Sequence, residues 1–184
     1  MLKLREVIAE RPVSIKVEEY VPLRIKFQPS VISVDEAYYW RSTDSNYLLE
    51  IEVHASDGAL ADVGVVLVPD ERIVRIDSLQ KLYAASGVRK GLPRFDTALW
   101  TDKIVSREIG IEPRSRRSDE KYPFKFFIAK DGVAILLDTG GPFHAVQNAN
   151  VEFAFNSDDE LCGLSVRDAK VGRDADRLVQ ARAK

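Results

Sequence analysis

The sequence has very few of the side chains on which most enzymes rely. It contains one cysteine, Cys162, and two histidines, His54 and His144, in 184 residues. A single cysteine cannot form an intramolecular disulfide, so the fold is compatible with a reducing compartment. The motifs of zinc hydrolases, dinucleotide-binding folds and serine hydrolases do not occur. We therefore assign no catalytic residue, no metal ligand and no cofactor from the sequence.

Long apolar runs and an excess of charge of one sign are also missing. The longest apolar runs, at 63–68 and 133–137, are too short to cross a bilayer. Charged residues interrupt the N-terminal segment, which therefore does not have the pattern of a secretory signal. The formal net charge is −2, whereas a duplex-binding protein usually needs a basic face. These absences predict a cytoplasmic protein that binds neither a membrane nor nucleic acid.

The chain does contain many short β-prone runs separated by turn residues. Within residues 122–168 the separators are Lys-Asp-Gly, Thr-Gly-Gly-Pro and Asn-Ser-Asp-Asp-Glu, which are typical of turns and tight connections. The four runs that they separate are 124–129, 133–137, 151–155 and 161–166. Further strands are predicted at 13–17, 23–27, 60–68 and 72–76. This spacing favours hairpins, and hairpins favour antiparallel pairing.

Residues 47–55 give the clearest strand, because apolar and polar side chains alternate along them. Successive side chains of a strand point to opposite faces, so the apolar set faces a core and the polar set is exposed. The exposed set is Glu50, Glu52 and His54. Ser-Asp-Gly at 56–58 then predicts a hairpin.

Helices are predicted only as short pieces. The candidates are residues 2–9, for which a strand is the alternative, then 79–86, 97–108, and 169–184 as a terminal helix or flexible tail. The remainder of 87–121 is predicted to be loop, because it is rich in glycine, proline and charge. We therefore predict an α+β, predominantly antiparallel β fold, with about eight strands in a curved sheet or sandwich and two to four short helices. Residues 1–168 are predicted to form a single globular domain.

Two acidic groups are the candidate contact residues. The face formed by Glu50, Glu52 and His54 could contact a basic partner, and a solvated sheet face is the alternative interpretation. A metal site would need three or four ligands, which this strand alone does not supply. The second group is the turn formed by Asp158, Asp159 and Glu160, whose residue types are typical of turns.

Two other polar residues are predicted to be structural. Cys162 shares a strand face with Leu164 and Val166, so we expect a buried thiol that is inert. His144 is predicted to lie in a loop at the surface.

Two segments resemble the small cytoplasmic immunity proteins that are encoded beside bacterial contact-dependent or polymorphic toxins. They are Gly91-Leu-Pro-Arg-Phe-Asp-Thr-Ala-Leu-Trp100 and Val151-Glu-Phe-Ala-Phe-Asn-Ser-Asp-Asp-Glu-Leu-Cys-Gly-Leu164. The resemblance covers the C-terminal half of the chain. It implies a stoichiometric inhibitor that occludes a toxin domain, and it carries over no defined functional residues.

The leading hypothesis is therefore a non-catalytic protein-binding module of the immunity type, with a basic toxin domain as its partner. One alternative is a ligand-binding or enzymatic β domain with a cavity between sheet and helices, near His54, His144, Trp40 or Trp100. Another alternative is an accessory component of a phage or of a secretion system.

Overall fold

The computed structural model describes residues 1–19, 22–29, 37–44, 46–82, 87–100 and 117–182. Within these ranges the chain forms fifteen strands and one long helix. The strands are β1 (Leu4–Ile8), β2 (Val13–Lys16), β3 (Leu23–Phe27), β4 (Ala37–Asp44), β5 (Tyr47–His54), β6 (Leu60–Leu67), β7 (Ile73–Arg75), β8 (Val88–Lys90), β9 (Leu92–Phe95), β10 (Arg117–Glu120), β11 (Phe124–Ala129), β12 (Gly132–Leu137), β13 (His144–Asn148), β14 (Val151–Phe155) and β15 (Leu161–Val166). The helix is α1 (Ala169–Arg182), and short 3₁₀ turns cover Asp70–Arg72 and Leu79–Lys81.

Most of these strands belong to two larger sheets. The first has six strands in the order β10-β4-β5-β6-β3-β2, and only the pair β10–β4 is parallel. The second has seven strands in the order β7-β11-β12-β15-β14-β13-β8, with parallel pairs only at its two edges. Strands β1 and β9 form a small antiparallel pair. The prediction of a mostly β, mostly antiparallel fold with few helices is thus confirmed.

The two larger sheets contact each other through apolar side chains that alternate along their strands. In β3, for example, Leu23, Ile25 and Phe27 are buried while the residues between them are half-buried. Phe27 packs against Phe153 of β14, with ring centroids 5.9 Å apart. Burial of these faces, at roughly 25 cal/mol per Å² of apolar surface, is the main source of stability. The opposite face of the six-stranded sheet carries the charged residues.

Helix α1 packs on this core through one stripe. Val171, Ala175 and Val179 recur every four residues and are buried, as expected for an amphipathic helix. The Asp168 carboxylate caps the helix by accepting from the amide of Lys170 at 2.8 Å. No helix in the described residues is both long and apolar enough to span a membrane.

Several details differ from the sequence-based expectations. The described residues hold nearly twice the predicted number of strands, and residues 2–9 contain a strand, which was the alternative to a helix. The prediction that 87–121 is loop outside its helix is wrong, because β8, β9 and β10 lie in that region. Strands β8 and β10 are short and largely polar, so they have no alternating pattern. Their conformation comes from pairing with β13 and β4.

Three further outcomes concern loops and helices. His144 is the first residue of β13 and is therefore not in a loop. Residues 79–81 form a 3₁₀ turn in place of the helix predicted over 79–86, of which 83–86 fall outside the described residues. Residues 98–100 are helical, and the rest of the helix predicted over 97–108 falls outside them too.

Candidate functional site

The outer face of the six-stranded sheet carries three carboxylates at adjacent positions. Glu50 and Glu52 lie on β5, where the predicted alternation is confirmed: their apolar neighbours are buried and the glutamates are half-buried. In the register of β5 and β6, Glu52 lies opposite Asp62 and Glu50 lies opposite Gly64. We call Glu50, Glu52 and Asp62 the carboxylate face.

Asp62 is the most deeply placed of the three, with 8% of its surface exposed. Its carboxylate accepts from Arg24 Nε at 2.9 Å, and Lys26 Nζ lies 4.0 Å away; both cations come from β3. Burial nevertheless raises the pKa of Asp62 above its usual range, with the Glu50 charge adding to the shift and the two cations opposing it. The ionised form of this carboxylate is therefore held at a cost in free energy.

Glu52 has less compensation than its neighbours. Within the described part of the chain its carboxylate makes no hydrogen bond and no ion pair closer than 4 Å. Burial raises its pKa first, and the adjacent charges of Asp62 and Glu50 raise it further, while the more distant charges of Arg24 and Lys26 oppose the shift. A partly buried carboxylate with a like charge opposite it is unfavourable, and a cation brought to it would relieve both effects.

Strand β4 borders the carboxylate face on the other side. Arg41 lies opposite Glu50 and forms an ion pair with it through Nε. Tyr39 lies opposite Glu52, and its hydroxyl has a raised pKa, because of burial and then because of the Glu52 charge. The acidic centre of the sheet therefore has cations on both flanks and a phenol beside Glu52.

Gly64 is the position in this row of residues that carries no side chain. It lies between Glu50 on β5 and Arg24 on β3 in the register of the sheet. A Cβ atom placed on Gly64 would have its nearest neighbour, a methyl of Val66, at 3.9 Å. A single methyl group would thus fit at Gly64 without a clash, although the residue itself is buried.

His54 shares the strand face with the glutamates, as predicted, but it lies at the end of β5 and has its own contact. Its Nε2 is 3.1 Å from the carbonyl oxygen of Pro29. The described residues contain no group of three or more histidine, cysteine, aspartate or glutamate side chains placed to hold a metal. The chemistry available on this face is therefore charge pairing and hydrogen bonding.

The second predicted contact group lies on the other large sheet, in the turn between β14 and β15. Asn156 Oδ1 accepts from the amides of Asp158 and Glu160, both at 2.9 Å, which fixes the turn. The side chain of Asp159 lies 3.4 Å from His144 Nε2, and Glu160 lies 3.9 Å from Lys3 Nζ. The structure therefore does not join this turn to the carboxylate face, and two of its three charges already have cationic or polar neighbours.

The remaining candidates are structural. Cys162 is fully buried, and burial raises the pKa of its thiol to about 11. Trp40 and Trp100 are also fully buried. Trp100 stacks on Tyr38 with ring centroids 5.0 Å apart, and its indole N–H donates to the carbonyl of Tyr39 at 2.9 Å.

Sequence reasoning found Glu50, Glu52 and His54 but missed Asp62 and Arg41. Asp62 is the one charge in the apolar run 60–67, and the hairpin signal at 56–58 placed that run beside β5. Strand β4 also had a signal, because three consecutive aromatic residues at 38–40 favour a strand. The sequence thus contained a signal for Asp62 and for strand β4, which carries Arg41.

No protein-family model matches this chain, and neither does any of the curated proteins compared with it.

Proposed function

We propose that this chain is a non-catalytic, cytoplasmic protein-binding module of the immunity type, which occludes a basic toxin domain. The partner contacts the carboxylate face, and the turn at 158–160 is a secondary contact. The resemblance of residues 91–100 and 151–164 to toxin immunity proteins supplies the class of partner. The composition supports a binding role, because few residues suited to nucleophilic or acid–base catalysis are present.

The proposal rests mainly on the environment of the Glu52 side chain. Its carboxylate is half-buried, faces Asp62 across the strand pair, and has no ion pair among the described residues. An arginine or lysine of a partner that reached Glu52 would offset a repulsion that already exists in the free protein. Close charge pairs of this kind across an interface have measured coupling energies of about 1.5–7 kcal/mol.

The surroundings of Glu52 add specificity to such a contact. Arg41, Arg24 and Lys26 flank the acidic centre, so a partner must place its cation at the centre and keep like charges away from the rim.

Co-expression with the neighbouring gene tests the proposed function. The reading frame immediately upstream of the gene is expressed alone and together with this chain, and growth is followed. We expect the upstream product to stop growth alone and the wild-type chain to restore it. The Glu52→Lys variant should restore growth poorly, because it places a cation where the partner brings its own.

Asp138→Lys is the matched control for this experiment. It makes the same change of charge at an exposed aspartate that follows β12 on the other large sheet. This variant should restore growth as the wild type does. An upstream product that is harmless, or that remains toxic in the presence of the wild-type chain, would contradict the proposed function.

A further inference from the structure

A groove of about 530 Å³ separates strand β2 from helix α1. Its apolar lining comes from Val13, Ile15 and Val17 on one side and from Val171 on the other. The three residues of the strand segment are half-buried, so they are reachable from outside. A volume of this size is within the range of ligand-binding clefts, roughly 300–1,000 Å³.

The groove runs along the open edge of a sheet. In the described part of the chain, β2 is the last strand of the six-stranded sheet and pairs only with β3. The amide of Gln28 donates to the carbonyl of Pro12 at 3.0 Å, which makes these two residues a hydrogen-bonded pair. Such pairs alternate along antiparallel strands. Ser14 and Lys16 therefore direct their backbone groups to β3.

The same alternation directs the backbone groups of Val13 and Ile15 to the open edge. Each of these residues thus presents an N–H and a C=O on the side where the groove lies. A row of unpaired donors and acceptors at a sheet edge is a template for a further strand.

At one position of this edge, Arg11, the backbone already has a hydrogen-bonding partner, which is the side-chain amide of Asn148. Arg11 lies two residues before Val13, and its backbone has the same orientation. Its N–H donates to Asn148 Oδ1 at 2.7 Å, and its C=O accepts from Asn148 Nδ2 at 2.8 Å. The buried Asn148 side chain thus makes the two hydrogen bonds that a peptide group of a neighbouring strand would make.

We propose that an extended segment of a partner protein adds to β2 as a further strand, with alternate side chains in the groove. This surface is distinct from the carboxylate face, and the inference does not rest on the proposed toxin partner. Main-chain hydrogen bonds supply affinity in strand addition, and pockets for alternate side chains supply specificity. Val13, Ile15 and Val17 make the β2 wall of the groove apolar, so apolar side chains of the segment fit there, whereas the helix side is mixed, with Val171 beside Lys170 and Asp174.

The charge near the edge selects acidic residues at the other positions of the segment. On the outer face, Lys16 is 68% exposed and lies on the edge strand itself; Arg24 and Lys26 on β3 are each more than 40% exposed, but both already lie within 4.0 Å of the Asp62 carboxylate. Side chains on an added strand would lie about 5 Å from those of β2. Lys16 now contacts Glu18 at 3.8 Å, but an exposed pair of this kind contributes little and is readily exchanged.

The acidic side chains on the helix side of the groove also favour apolar residues in the groove and acidic residues outside it. On the helix side the groove lining holds Asp168 and Asp174 against Lys170, so acidic side chains placed in the groove would meet an excess of negative charge. The preferred segment therefore alternates apolar residues, directed to α1, with acidic residues, directed to the outer face.

Two matched peptides test this inference on the full-length protein labelled with ¹⁵N. One is acetyl-Val-Glu-Val-Glu-Val-Glu-Val-amide, and the other has lysine in place of each glutamate. We expect the acidic peptide to bind at least about tenfold more tightly, and to shift the amide resonances of Val13, Ile15 and Val17 most. Equal binding of the two peptides, no binding of either, or shifts confined to other surfaces would overturn the inference.

Two variants separate edge pairing from charge. Ile15→Pro removes an N–H that the β2–β3 pair does not use, so we expect weaker binding of the acidic peptide by about tenfold. Ser14→Pro removes an N–H that the pair does use and should lower the melting temperature instead. Lys16→Glu, at an exposed position, should leave the melting temperature unchanged and reverse the preference between the two peptides. If Lys16→Glu still preferred the acidic peptide, the inference would be overturned, even if Ile15→Pro failed to fold.

Discussion

Glu52 and Asp62 lie directly opposite each other on the antiparallel strands β5 and β6, with both carboxylates on the outer face of the sheet. Asp62 is partly compensated by Arg24, whereas Glu52 has no ion pair among the described residues. Burial raises the pKa of both groups. The two carboxylates therefore repel each other in the free protein, and a cation from a partner would relieve this repulsion. That relief is the physical basis of the proposed function.

Glu52→Gln should stabilise the protein at neutral pH by about 0.5 kcal/mol, since directly opposed like charges cost roughly 0.2–1 kcal/mol. Urea denaturation at pH 7 measures this change in the free energy of unfolding. Glu71→Gln, at an exposed position in the 3₁₀ turn Asp70–Arg72, is the control and should change little. A loss of stability in Glu52→Gln would show that the glutamate is well compensated in the free protein.

The same variant should change how stability depends on pH. A carboxylate with a raised folded-state pKa stabilises the protein below its ordinary pKa of 4.5, and this contribution is lost as the pH rises through the raised value. The difference in unfolding free energy between Glu52→Gln and wild type should therefore grow from acid to neutral pH. Denaturation series at pH 4 and pH 7 measure it, and a constant difference would contradict the assigned direction.

Asp131 should show the opposite pH dependence. Burial favours its neutral form, but hydrogen bonds from the Ser78 hydroxyl at 2.6 Å and the Leu79 amide at 3.0 Å outweigh this and lower its pKa. Asp131→Ala should cost about 1.5–3 kcal/mol at pH 7, and this cost should shrink as acid protonates the carboxylate. Asp138→Ala is the control. An equal cost at all pH values would contradict the prediction.

Two glycines should respond oppositely to alanine. Gly132 has a φ of +151°, and a Cβ there would collide with the carbonyl oxygen of Val166, so Gly132→Ala should cost more than about 1 kcal/mol. Gly64 has open space above it, so Gly64→Ala should be neutral or stabilising by up to about 1 kcal/mol. Thermal unfolding of both variants measures the contrast. A destabilised Gly64→Ala would contradict the expectation that a methyl group fits at this position.

The alternating strand β5 and the buried thiol of Cys162 could be predicted from the sequence, because period-two alternation specifies which side chains are buried. The strands β8 and β10 could not be predicted, since they are short and polar and depend on neighbours that are distant along the chain. Only part of the carboxylate face could be predicted from the sequence. Glu50 and Glu52 follow from one strand, whereas the opposition of Glu52 to Asp62 depends on the register of a hairpin that contains a bulge.

Binding of this chain to the protein encoded by the adjacent upstream reading frame is the most direct test of the central claim. Isothermal titration calorimetry would compare the wild type with Glu52→Lys and Asp138→Lys. We expect a one-to-one complex that Glu52→Lys weakens at least about twelvefold, the lower end (about 1.5 kcal/mol) of the range for close charge pairs. Asp138→Lys should leave the dissociation constant unchanged. The absence of a complex, or equal effects of the two variants, would contradict the claim that the carboxylate face binds a basic toxin domain.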